Sequence, residues 1–314
     1  MSLKHWLLLC LPAFCWGSAF IFMEVALPVF SPLTIVIGRM CVGALVLSGV
    51  QFWAGKSRGE KAKSALQPNI EPFSIWRAPL SLWVQCAGLG ITNTLLPFGL
   101  VVWAQQYITA SLASILISVA PVFTVVLAVF LLGEKLTFSR FLGALLGFSG
   151  VVVLIGPSVL RGMSLQGAGE LAILGAALCY SISGFWGRRF KDVPPQALSA
   201  MTITTGALII GVIGVLVQTF GESPVGANVS VGAVLAVLGL GVFSTALAYI
   251  VYFHLLAEVG VVNTSLVSFL VPLCTLIMST LFLQERLSSA ALCGMALILL
   301  GLAVLDGRVL RKLF

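Results

Sequence analysis

Ten stretches of this chain are each about 20 residues long and almost free of charge, and nothing else in the sequence restricts its fold so strongly. A bilayer core of about 30 Å is crossed by roughly 20 apolar residues at about 1.5 Å rise each. The stretches run from 6 to 27, 33 to 54, 80 to 104, 108 to 132, 138 to 156, 169 to 187, 196 to 219, 231 to 256, 260 to 283 and 288 to 306. Composition agrees: 60% of the residues are hydrophobic, 9% are charged and the mean hydropathy is +1.13, whereas about a quarter of the residues in soluble domains are charged. The expected fold class is an all-α polytopic membrane protein with ten transmembrane helices. Residues 6–27 follow Lys4 but are too long for the apolar core of a signal peptide and lack a clear small-residue cleavage site, so they read as the first helix.

The net charge of +7 does not point to nucleic acid, because the basic residues are strung out between apolar runs with no single basic face. They point to topology instead. With the N-terminus in the cytoplasm, the inner segments carry Lys4, then Lys56, Arg58, Lys61, Lys63 and Arg77, then Lys135 and Arg140. Arg188, Arg189 and Lys191 follow, and Arg308, Arg311 and Lys312 complete the set. The outer segments have Arg161 and Arg286, and Arg39 lies inside helix 2. The positive-inside rule then places both termini in the cytoplasm of a multi-pass inner (plasma) membrane protein. Most tryptophans fall near helix ends, where an amphipathic ring prefers to sit; Trp16 does not.

The chain also repeats itself. "PVFTVVLAVFLLGEKLTFSRFLGALLGFSG" from Pro121 returns as "PLCTLIMSTLFLQERLSSAALCGMALILLG" from Pro272, 151 residues later. Thr124 and Thr275, Glu134 and Glu285, Gly143 and Gly294, and Gly150 and Gly301 hold the register. "AFCWGS" at Ala13 matches "ALCYSI" at Ala177 more faintly, at an offset of 164, and the change of offset falls in the long polar linker 55–79. The expected units are therefore 6–156 and 169–306, five helices each. Five is odd, so the second unit enters the membrane from the opposite side, and the two form an inverted repeat of the kind that secondary transporters use for alternating access. Glu134 and Glu285 would then lie at opposite faces, with Thr137 and Ser288 as helix caps beside them.

Taken together these residues resemble the drug/metabolite transporter superfamily, in its EamA-type ten-helix branch. "AFCWGSAFIF" at Ala13, the arginine of "PLTIVIGRM" and the paired "P…GEKL" and "P…QERL" stretches carry the resemblance, which covers nearly the whole chain. It implies transport of small polar or amphipathic metabolites, often amino acid export, from a cavity lined by helices 1 to 4 and 6 to 9, with protons as the coupling ion to test. Gln284 stands where the first copy has Gly133, a departure from symmetry. The expected function is secondary active export of amino acids or related metabolites. A multidrug or nucleobase/sugar-type permease is the alternative, and a channel or membrane sensor ranks below it. The partners expected are a small-molecule substrate and the lipid bilayer, with no nucleic acid, no cofactor and no implied oligomer.

Several intramembrane polar residues are candidates for the substrate site. Arg39 costs about 2.5–3.5 kcal/mol to insert, which marks it as functional by default. Glu24 is the nearest acid in sequence: either the two form a structural ion pair, or Arg39 snorkels to the outer interface, or Arg39 takes a substrate carboxylate while Glu24 takes an ammonium or a proton. Trp16 and Tyr180 occupy equivalent mid-membrane positions, suited to stacking on a substrate or to packing beside Gly17 and Ser181. Asn93 and Thr94 are matched by Ser244 and Thr245, either as ligand contacts or as glue between helices. Tyr249 and Tyr252 lie further along helix 8, and Ser114, Ser118, Ser265 and Ser268 flank Pro121 and Pro272, which should kink helices 4 and 9, either as gating elements or as static kinks. Gly143 and Gly147 read as a packing face within the monomer, and His254 as an interfacial residue.

Other classes fit poorly. "AGKS" at Ala54 lacks the glycine a phosphate loop needs, since Val50 stands there. The seven cysteines lie inside apolar runs without a C-x-x-C pair, which argues against a metal site. No catalytic motif such as H-E-x-x-H or G-x-S-x-G is present, so an enzyme is not expected. Neither a repeated filter nor a ring of like charges favours a channel.

Overall fold

A computed structural model describes residues 3–64, 73–133, 137–160, 164–187, 189–219, 229–264 and 266–306. Glu134, Lys135, Arg161, Arg188, Ser265, Arg308, Arg311 and Lys312 lie outside the described residues. Among the described residues every regular element is helical. Helices α1 (Leu3–Ala26) and α2 (Pro32–Ser64) are followed by a single 3₁₀ turn, Ile75–Arg77. Helix α3 joins Leu80–Gly90 to Leu96–Ala104 through a π-helical turn, and α4 consists of Ala110–Ile117 and Ala120–Leu132. The next three are α5 (Phe138–Leu160), α6 (Leu165–Gly187) and α7 (Pro195–Thr219). Helix α8 runs from Val231–Gly241 through a π-helical turn into Ala248–Thr264; α9 is Val267–Met278 with a final π-helical turn, and α10 is Ser289–Asp306.

Seven of these helices contain a stretch long and apolar enough to cross a membrane, by length and composition; Phe138–Leu154, Leu270–Leu283 and Ser289–Leu305 are apolar but shorter. The polarity of the molecule is that of a membrane protein. Leu45, Leu80, Phe130, Leu208, Val231 and Phe282 are exposed, while Arg39, Thr94, Ser111, Ser244 and Thr245 are buried. In water such a distribution leaves large apolar patches unpaired, whereas in lipid it hides the polar groups and covers the outside with hydrocarbon.

Two helix boundaries differ from the sequence expectation. Helix α2 continues to Ser64 through "GKSRGEKAKS", because charged residues with good helix propensity extend an apolar helix beyond the membrane. Helix α8 continues to Thr264, and α9 begins at Val267. The apolar run does not break at Gly260, since a lone glycine weakens a helix without ending it.

The packing exchanges elements between the two halves of the chain. Helix α1 packs on α8 and α9, and α6 packs on α3 and α4. Likewise α2 packs on α8 and α7 on α3, while α2 meets α7 and α5 meets α10. The last contact explains the repeated glycines. A Cβ on Gly143 would lie 2.8 Å from the Gly301 carbonyl oxygen, and one on Gly150 would lie 2.7 Å from that of Gly294. The same holds in reverse, so each glycine of one helix faces the backbone of its counterpart's helix. Small residues are what let two helix backbones approach this closely in lipid.

Candidate functional site

A cavity of about 780 Å³ lies between the halves. Its described walls come from α1, α2, α3, α4, α6, α8, α9 and α10; α7 contributes none, and α10 adds Leu302 and Leu305. The polar part is assembled by breaks in regular helix. In α3 the π-helical turn Ile91–Leu95 holds Asn93 and Thr94, and in α8 the turn Val242–Leu247 holds Ser244 and Thr245 at equivalent positions. A π-helical turn shifts the hydrogen-bond register and leaves a carbonyl without its usual donor. Thr94 Oγ1 donates to Gly90 O at 2.6 Å and Thr245 Oγ1 to Leu240 O at 2.8 Å, so each threonine hydroxyl takes up a carbonyl of the helix just before its widened turn.

In α4 the helix stops at Ile117 and restarts at Ala120, with Pro121 in the first turn of the new segment, where a missing N–H does least harm. Ser118 Oγ donates to Ile115 O at 2.6 Å, and the Ala120 carbonyl accepts from Ser181 Oγ at 2.7 Å and Thr124 Oγ1 at 3.1 Å. The backbone polarity released at the break is thereby met by side chains at the cavity wall. Pro272 behaves differently: it sits inside the unbroken helix Val267–Met278. The two equivalent prolines therefore occupy different local conformations.

Arg39 lines the cavity and is only 5% exposed. Its Nε–H donates to Thr245 Oγ1 at 3.1 Å, and its guanidinium carbon lies 3.6 Å from the Phe98 ring centroid. Tyr180 and Tyr249 line the same cavity. Trp16 stacks edge-on against Tyr249, with centroids 6.0 Å apart, and tilts over Tyr252 at 5.2 Å. Phe253 extends the same aromatic wall. Asn93 Oδ1 accepts from Ser183 Oγ at 2.9 Å, which fixes its side chain at the wall.

Of the candidate residues, Trp16, Arg39, Asn93, Ser118, Pro121, Tyr180, Ser181, Tyr249 and Ser268 line the cavity, as do Ser114 and Tyr252. Thr94, Ser244, Thr245, Glu24 and Pro272 stand behind or away from the wall. Ser244 Oγ pairs with Ser18 Oγ at 3.3 Å and joins α8 to α1. Glu24 and Arg39 do not pair: Glu24 accepts from Gln105 Nε2 at 3.4 Å, and the described ion pairs gather elsewhere. Lys4, His5 and His254 all approach the Glu258 carboxylate, at 3.6, 3.5 and 3.3 Å, and tie the start of α1 to the end of α8.

The sequence did not reveal the role of Glu285. Its carboxylate accepts from the backbone N–H of Ala110 at 3.0 Å, from that of Ser111 at 3.1 Å, and from Ser111 Oγ, which also meets Ser279 Oγ. These are the open donors of the first turn of α4, where a negative charge is stabilised by the helix dipole. Ser288 and Thr137 cap their helices as expected, accepting from Ala291 N at 3.1 Å and Arg140 N at 3.3 Å. Phe98 was also missed, because an apolar residue in an apolar helix carries no signal that it will lie under a guanidinium.

Comparison with known proteins agrees with this architecture. A WAT1-related chloroplastic protein of Arabidopsis thaliana is 27% identical over 96% of this chain and 69% of its own length. A protein named a probable amino-acid metabolite efflux pump, from Salmonella typhimurium, is 24% identical over 97% and 95% of the two chains. A probable terminal-alkyne amino-acid exporter of Streptantibioticus cattleyicolor is 26% identical over 67% of this chain and 68% of its own. A solved crystal structure covers 100% of this chain and 99% of its own with a TM-score of 0.64 at 23% identity, a likeness of fold. The EamA-like transporter family matches residues 3–156 and 167–305, and with both halves of the chain so matched, the protein belongs to the EamA-like transporter family of the drug/metabolite transporter superfamily.

Proposed function

We propose that the protein is a secondary active transporter that exports amino acids or related small metabolites across the inner (plasma) membrane by alternating access. In this reading ten helices cross the membrane as two inverted five-helix repeats, 6–156 and 169–306, with both termini in the cytoplasm. The observation that carries it is the cavity of about 780 Å³ at the meeting of the halves, largely apolar and aromatic with Arg39 in its wall, and walled in part by residues at repeat-equivalent positions such as Trp16 and Tyr180. The exchange of packing partners between the halves supports the inversion. So does the difference between the broken α4 and the continuous α9, because two copies of one unit in different conformations are what alternation requires. The two polar clusters suit gates: Glu285 on the first turn of α4, and Glu258 with Lys4, His5 and His254. The names of the Salmonella and Streptantibioticus relatives favour amino-acid-like substrates and outward flux.

The test is counterflow in liposomes. Purified protein reconstituted with unlabelled substrate inside should accumulate labelled substrate from outside transiently, saturably and without ATP. Strict dependence on ATP, or flux that fails to saturate at any concentration, would overturn the reading.

A further inference from the structure

Among the described residues, Arg39 is the one formally charged side chain that lines the cavity. Its Nε–H is committed to Thr245 and one face of its plane to Phe98. Among the described residues no hydrogen-bond acceptor meets the two Nη amino groups, and neither is a fully buried atom left without a partner. A nearly buried guanidinium with its outer N–H groups open is shaped to receive both oxygens of a carboxylate, and Thr245 and Phe98 hold its plane ready for that fork.

Among the described residues, the carboxylates that a second, cationic subsite would need are engaged elsewhere. Glu24 meets Gln105, Glu285 meets the start of α4, Glu258 meets Lys4 and the two histidines, and Glu170 meets Gln166. Asp192 is exposed at the turn between α6 and α7. The rest of the described lining is apolar and aromatic, with neutral hydroxyls and the Asn93 amide among it. The α-ammonium of an amino acid sits only a bond or two from its carboxylate. Bound on Arg39 it would be drawn out of water beside a like charge, with ring faces and hydroxyls but no carboxylate among the described walls to offset its desolvation.

We infer that the cavity selects a monoanionic carboxylate with an uncharged, apolar or aromatic body, such as an acid whose nitrogen is absent or acylated, over the corresponding zwitterion. The inference rests on the transport reading and, within it, favours the related small metabolites over free amino acids as substrates.

The test uses the full-length protein in detergent and probes that share one ring and chain: 3-phenylpropionate, N-acetylphenylalanine, phenylalanine and 2-phenylethylamine. By titration calorimetry the first two should bind at least tenfold more tightly than phenylalanine, with 2-phenylethylamine weakest. Arg39→Gln should bring the series to parity, while Arg39→Lys keeps the order at lower affinity; if Arg39→Gln does not fold, the wild-type series decides alone. Phenylalanine binding as well as 3-phenylpropionate, or no binding of 3-phenylpropionate to the folded protein, overturns the inference. Counterflow with the same probes separates the two levels. Saturable exchange that phenylalanine and 3-phenylpropionate inhibit equally overturns the charge selection and leaves transport standing. Saturable exchange of no solute at all removes the transport reading itself.

Discussion

Position 284 shows at the scale of one residue how far a sequence comparison reaches. The first copy has Gly133 there and the second Gln284, which reads as a break in symmetry. The backbone nevertheless takes the same left-handed conformation in both, with φ of 62° at Gly133 and 54° at Gln284. Each ends its helix, and a left-handed residue is the usual way to do so. Glycine adopts this conformation freely, whereas a side chain costs roughly 1–2 kcal/mol there. Glycine also loses more backbone freedom on folding, by about 0.4–1 kcal/mol. The strain term is the larger, so Gln284→Gly should stabilise the protein by about 0.5–1 kcal/mol and raise its melting temperature in detergent. A lower melting temperature would mean that the Gln284 side chain makes a stabilising contact that outweighs the strain. The side chain was legible at this position and the dihedral was not. Arg39 is a parallel case: its cost in a membrane marked it from the sequence, but its partners Thr245 and Phe98 lie 206 and 59 residues away along the chain, and no local pattern records them.

Between elements, what the sequence records is spacing, and what it omits is who meets whom. The glycines at 143, 147, 150, 294 and 301 stand out as landmarks of the repeat and as a small-residue face. That α5 and α10 turn these faces toward each other requires the folded chain. A Cβ on Gly301 would come within 2.7 Å of both the Gly143 carbonyl oxygen and the Gly147 amide nitrogen, and backbone cannot rotate aside as a side chain can. Overpacking of this kind costs about 1–3 kcal/mol. Gly301→Val should therefore lower thermal stability, whereas Gly49→Ala, with nothing within 4 Å of the added carbon, should be neutral or gain up to about 1 kcal/mol from helix propensity. Equal melting temperatures for the two variants would show that the α5–α10 approach is looser than described. The π-helical turns of α3 and α8 left no readable trace beyond the polar pairs Asn93–Thr94 and Ser244–Thr245, because widening a helix changes hydrogen-bond register without changing hydrophobic pattern. The boundary between α8 and α9 was displaced for a related reason: an apolar run with one glycine says how long the helices are together, not where they divide.

For the whole molecule, ten apolar runs and a doubled motif were enough to expect two five-helix units, since their physical causes, hydrocarbon thickness and repetition, are written along the chain. The contacts that join its two halves are written across it instead. Glu285 belongs to the turn before α10, yet its carboxylate takes the free amide donors of Ala110 and Ser111, at the start of α4 in the other half. In the proposed topology this contact closes the outer side, above the cavity that Ser114 and Ser118 of α4 help to line. Hydrogen bonds to a charged group contribute about 1.5–3 kcal/mol, and about 1.4 kcal/mol is a factor of ten in an equilibrium, so removing the carboxylate should shift the balance of states by tenfold or more. Glu285→Ala, combined with Ser118→Cys as the sole cysteine in right-side-out vesicles, should label with a membrane-impermeant thiol reagent at least severalfold faster than the same construction with Glu285 intact. Amide hydrogen exchange in the first turn of α4 should quicken in the same variant. If labelling stayed unchanged while exchange quickened, Glu285 would be a helix cap alone and the outer gate would have to be sought elsewhere; if both stayed unchanged, the carboxylate would not bear on α4 at all.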